Sequence, residues 1–103
     1  MKLENRTALI SAAGSGMGRE AALLFASEGA TVVVVDLDLE AAESTVEAIA
    51  SIGGTAVALQ CDVSKVDQLR AVFATVEERF GVLHVLYNHA GIPGPGSMDV
   101  DED

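Results

Sequence analysis

Residues 31–36, TVVVVD, constrain the fold most strongly. Five of the six are β-branched, a composition that disfavours helix and suits a pleated strand. No polar residue interrupts the run, so the strand cannot have one wet face. It must be covered on both sides, as happens in a parallel sheet with helices packed above and below.

The rest of the chain repeats that theme with regular punctuation. RTALIS (6–11) is a short apolar strand that ends in a glycine cluster. Met17 to Glu28 is Ala/Leu-rich and helical, with Gly29 where a helix stop belongs. Asp38 is expected to cap a helix whose apolar face is Leu39, Ala42, Val46 and Ile49, ended by Gly53-Gly54. TAVALQ (55–60) is a third strand. Ser64 is expected to cap the next helix, with Asp67 in a weak form of the capping box. Val66, Leu69, Phe73, Val76 and Phe80 form its stripe, Gly81 closes it, and VLHVLYN (82–88) is a fourth strand.

Strand and helix thus alternate as β-α-β-α-β-α-β without repeats. The expected fold is α/β, a Rossmann-type doubly wound parallel sheet truncated after the fourth strand. Residues 1–91 form the βαβαβαβ half-domain. Residues 92–103, with both prolines and an acidic end, form a loop and the start of an uncompleted helix.

Composition excludes several partners. The 103 residues carry a formal charge of −10, and the six basic residues are scattered, which argues against nucleic acid. No stretch approaches a membrane span or a secretory signal, so no membrane association and a cytoplasmic location are expected. Cys61 is the single cysteine and is read as a packed thiol, with no metal site.

SAAGSGMGRE (11–20) lies where the first strand turns into a helix. Glycines there let the backbone bend tightly and approach a ligand, and the helix start offers free N–H groups and a positive dipole end suited to pyrophosphate. Gly14 would serve the turn, Gly16 the close approach and Gly18 the packing of helix on strand. Ser15 and Met17 complete the candidate turn. Asp36 ends the second strand at the spacing expected for an acid that binds a ribose hydroxyl, with Leu37 beside it. Asp62 and Val63 follow the third strand, where a carboxylate could accept from an adenine amino group. Ligands of open α/β sheets bind at this carboxyl edge. Either a dinucleotide or S-adenosylmethionine could use such an arrangement. An acid before the glycines and an Asp/Asn-Pro-type end to strand four would favour the latter, and this chain has neither.

These motifs resemble the N-terminal, cofactor-binding part of the short-chain dehydrogenases/reductases. The Thr-Gly-x-x-x-Gly-x-Gly signature aligns with Ser11-Ala12, Gly16 and Gly18. The strand-two acid aligns with Asp36, the Asp-Val pair with Asp62-Val63, and Asn-Asn-Ala-Gly with Asn88, Ala90 and Gly91. Ala12 and His89 depart from the pattern. The resemblance implies an NAD-dependent oxidoreductase that interconverts an alcohol and a ketone, acting on a small alcohol or carbonyl substrate and homo-oligomeric in full length. Asn88, Ala90 and Gly91 would lie at the nicotinamide side. NAD is expected over NADP, because Asp36 would repel a 2′-phosphate and because Ser15 and Leu37 stand where NADP-dependent members often have basic residues. Arg19 is expected on the exposed first turn of its helix.

LYNHAG (86–91) then reads as a strand end beside the cofactor. Tyr87 is not a catalytic tyrosine, since Gly91 stands where the Tyr-x-x-x-Lys pair needs lysine. His84 and His89 are weak candidates for any chemistry. The family's catalytic Ser, Tyr and Lys have no counterpart in residues 1–103, so no catalytic residue is assigned and the chain is expected to be part of a longer enzyme. A naturally short nucleotide-binding or regulatory module is the alternative. Without further strands, the fourth would form an edge exposed to association.

Overall fold

The computed structural model describes residues 2–11 and 16–88, the last four as backbone. The elements run β1 (Thr7–Ser11), α1 (Gly16–Ser27), β2 (Thr31–Asp36), α2 (Leu39–Ser51), β3 (Thr55–Gln60), α3 (Val66–Phe80) and β4 (Val85–Asn88). The four strands form one parallel sheet in the order β3-β2-β1-β4. Chain direction therefore reverses across β1: β2 and β3 are laid to one side, and β4 returns to the other. The crevice between the carboxyl ends of β1 and β4 is the topological switch point, with Ser11 opposite Asn88.

Both faces of the sheet are covered, as the TVVVVD run requires. Ile10, Val32 and Val34 pack under Ala22 and Ala26 of α1 and Ala42 and Ile49 of α2. The alternate residues Leu9, Val33 and Val35 pack on the opposite face against Val72 and Val76 of α3. Val32 to Val35 have no exposed surface. Burying each such side chain stabilises the fold by about 1.5–3 kcal/mol before chain entropy is charged against it. Among the described residues, no helix is long and apolar enough to cross a membrane.

Three local expectations are corrected. Ser64 does not cap α3: the N-cap is Lys65, without a side-chain bond, because the Ser64 hydroxyl is drawn back to the Asp62 carboxylate at 2.6 Å. The predicted stripes overreach at their first turns. Leu39 and Val66, the first residues of α2 and α3, are exposed, and Val72 takes a core place outside the expected stripe. The fourth strand starts at Val85, which leaves His84 just ahead of it rather than within it. By contrast Asp38 caps α2 as expected, its Oδ1 accepting from the N–H groups of Glu40 and Ala41.

Candidate functional site

The carboxyl ends of β1, β2 and β3 and the start of α1 share one edge of the sheet. Gly16 opens α1 with φ +60°, a left-handed conformation that L side chains rarely adopt, and a Cβ there would meet nothing within 4 Å. Glycine is thus required by backbone shape, and the space above it is open. Gly18 is buried in the same turn, whereas Met17 is 64% exposed. The first turn of α1 carries no acidic residue, so its positive end is not neutralised locally. Gly14, Ser15, Ala90 and Gly91 lie outside the described residues, as do Ala12, His89, the 92–103 segment and the side chains of Tyr87 and Asn88.

Asp36 is half-buried at the end of β2, and its Oδ1 accepts the Asp38 N–H at 2.9 Å. This bond folds the chain sharply out of the strand and leaves Leu37 63% exposed beside the carboxylate. Two further bonds tie the ends of β2 and β3 together. The Asp36 carbonyl accepts the Cys61 N–H at 3.0 Å, and Gln60 Nε2 donates to the Leu37 carbonyl at 3.1 Å. The Asp36 and Asp62 loops are therefore one connected unit.

Asp62 itself is tightly engaged. Its Oδ1 accepts from both the N–H and the hydroxyl of Ser64, at 3.0 and 2.6 Å. These two bonds, helped by the charge of Lys65, hold its carboxyl below the usual carboxylate range. Cys61, next to it, is almost fully buried among Val33, Val35 and Val72. Burial, and then the Asp62 charge, push its thiol pKa up, which disfavours the thiolate and agrees with a packed thiol.

Arg19 differs from expectation. It is half-buried, and its Nη1 donates to Thr45 Oγ1 at 3.1 Å, which links α1 to the buried face of α2. A partner 26 residues away leaves no trace in local spacing. Local spacing likewise does not mark Ser64, Gln60 or Gln68 as parts of the site. With Lys65 as the cap, Gln68 stands three residues into α3, where a side chain can reach back past the helix start.

This arrangement fits a nucleotide. It offers an anion-favouring helix start, a carboxylate at each of two adjacent strand ends, and exposed apolar side chains at Met17 and Leu37 to flank a flat base or sugar. Among the described residues no cluster of His, Cys, Asp and Glu could hold a metal ion.

Comparison with known proteins agrees. A family model described as short chain dehydrogenase matches residues 6–103. A cyclohexanol dehydrogenase from Acinetobacter sp. is 42% identical over 93 residues, covering 90% of this chain and 37% of that protein. The crystal structure of a hydroxysteroid dehydrogenase from Escherichia coli is 37% identical, with a TM-score of 0.85, and the match covers 98% of this chain and 43% of that one. A metagenomic short-chain oxidoreductase in complex with NADP has 30% identity and a TM-score of 0.81, covering 84% of this chain and 39% of that one. The chain spans 35–39% of the length of the curated relatives it matches.

Proposed function

The chain belongs to the short-chain dehydrogenase family, and on that premise we propose that it is the NAD(H)-binding portion of an oxidoreductase that interconverts an alcohol and a ketone. The observation that carries this reading is the joined pair of acidic loops, Asp36 after β2 and Asp62 after β3, on the same edge as the unneutralised start of α1. Asp36 would accept from the adenosine ribose hydroxyls. The turn containing Gly14, Ser15, Gly16, Met17 and Gly18 would hold the pyrophosphate, Asp62 and Val63 the adenine, and Asn88, Ala90 and Gly91 the nicotinamide side. Leu37 would close over the ribose.

When bound, the nicotinamide supplies or accepts the hydride. This chain's own residues bind and orient the dinucleotide. They do not transfer the substrate proton, because residues 1–103 contain no Tyr-x-x-x-Lys pair. The substrate is a small alcohol or carbonyl compound, and the enzyme is a homo-oligomer.

NAD is the proposed coenzyme although a neighbour of the same fold holds NADP. A 2′-phosphate would place close to two negative charges beside the Asp36 carboxylate in a half-buried setting, where like charges repel strongly. Arg19, the cation nearest in sequence to the glycine turn, is engaged by Thr45.

Calorimetric titration of the chain with NADH, NADPH and S-adenosylmethionine tests the proposal. Binding of NADH in preference to the other two is expected. Heat from S-adenosylmethionine alone would overturn it.

A further inference from the structure

We propose that Gln68 is a positioning residue for adenine recognition: its side-chain oxygen fixes the Asp62-Val63 turn so that an acceptor and a donor remain side by side for the base. The proposal rests on the dinucleotide reading above and adds to it the group that holds the adenine contacts in place.

Gln68 lies in the first turn of α3, and its Oε1 accepts the backbone N–H of Asp62 at 2.8 Å. The Asp62 carbonyl accepts the Lys65 N–H at 2.9 Å. The Ser64 N–H and hydroxyl both go to Asp62 Oδ1. Three of the four polar atoms of Asp62 are thus committed within residues 62–68. Among the described residues, Oδ2 receives no hydrogen bond, and neither does the adjacent Val63 N–H find an acceptor. The Val63 side chain packs against the Leu9–Val33–Val35 cluster, which anchors the other side of the turn.

The carboxylate oxygen and the N–H of the next residue supply an uncommitted acceptor and an uncommitted donor to the same turn. Adenine presents the complement, an amino donor beside a ring-nitrogen acceptor. Hypoxanthine presents the reverse, a carbonyl acceptor beside an N–H donor, so the same pair would meet it with an acceptor facing an acceptor. Such a mismatch strands polar groups and costs more than a lost contact. Discrimination depends on the two groups keeping their relative orientation. Without Gln68, the Asp62 N–H loses its acceptor and the turn is held on one side only.

The test is the ratio of affinities for NADH and for nicotinamide hypoxanthine dinucleotide, its reduced deaminated analogue, titrated by nicotinamide fluorescence. The wild-type chain is expected to favour NADH by about tenfold or more, the worth of one charge-assisted hydrogen bond. In Gln68→Leu the ratio is expected to fall to about twofold, while Gln68→Glu, which keeps an acceptor oxygen at the same reach, retains it. A general loss of fold would weaken both ligands together and leave the ratio unchanged. If Gln68→Leu cannot be titrated, Gln68→Asn, whose shorter side chain falls short of the Asp62 N–H, is judged by the same ratio. A wild-type preference that survives in the leucine or asparagine variant overturns the positioning role and leaves the adenine reading intact. A wild-type chain that binds both coenzymes alike overturns the adenine reading, and the proposal with it.

Discussion

The backbone N–H of Thr7 donates to Nδ1 of His84 at 3.0 Å, and His84 returns its own N–H to the Thr7 carbonyl at 2.9 Å. The imidazole thus stands in for a strand carbonyl one residue before the β1–β4 ladder begins. Thr7 is buried, so losing this acceptor leaves a donor that water reaches poorly. His84→Phe is expected to destabilise the chain by about 1–3 kcal/mol, the cost of stranding a buried N–H. Urea unfolding measures the loss, and amide exchange at Thr7 should accelerate with it. An unchanged midpoint would mean that the side chain contributes nothing to the ladder.

Close approach, rather than turn shape, governs Gly54. A Cβ there would lie 2.7 Å from Ile49 Cγ2 and 3.1 Å from Ala26 Cβ. Ile49 is fully buried and β-branched, so its methyl cannot swing aside without leaving a preferred rotamer. Gly54→Ala is expected to cost about 1–3 kcal/mol through overpacking between α1 and α2. Thermal unfolding against wild type decides it, and an equal or higher midpoint would show that the helices separate at no cost.

Much of this architecture was legible in the sequence, because each legible feature is local. TVVVVD declared a two-sided strand by composition alone, and Asp38 declared a cap because its acceptor reaches N–H groups two and three residues ahead. The ends of β2 and β3 put Asp36 and Asp62 on one edge as a consequence of parallel order. What escaped depends on competition or distance. Ser64 looked like a cap, yet the Asp62 carboxylate two residues back is the stronger acceptor for its hydroxyl. Val66 fits the helical period but is the first residue of α3, where it stays exposed. Arg19 found Thr45 only because α1 and α2 lie side by side.

The Asp62–Ser64 pair carries a pH signature. Hydrogen bonds from Ser64 lower the folded-state pKa of Asp62, so their stabilisation is fully present above the unfolded carboxylate pKa of about 3.9. It is lost as pH falls through the lowered folded value, where both states are protonated. Ser64→Ala should therefore be less stable than wild type at neutral pH, and the gap should close on acidification. Unfolding midpoints measured across that range check this, and a gap that widened toward low pH would reverse the assigned sign.

In the proposed reading coenzyme preference turns on Asp36, and charge and hydrogen bonding can be separated there. Asp36→Asn keeps the size and an acceptor oxygen but removes the negative charge. It should leave NADH binding within about tenfold of wild type, since an uncharged acceptor still serves the ribose hydroxyls. NADPH affinity should rise, because the repulsion of the 2′-phosphate is gone. Asp36→Arg goes further: it removes the acceptor for both the ribose and the Asp38 N–H, and it supplies a cation that can pair with phosphate. NADH should then weaken by about tenfold to a hundredfold, the range for a lost charge-assisted bond, and the preference should invert. Added salt should erode the new NADPH affinity more than the residual NADH affinity, since only the former rests on the introduced charge pair. If both variants kept the wild-type preference, Asp36 would not face the ribose, and the carboxylate would be read as a turn residue that accepts the Asp38 N–H.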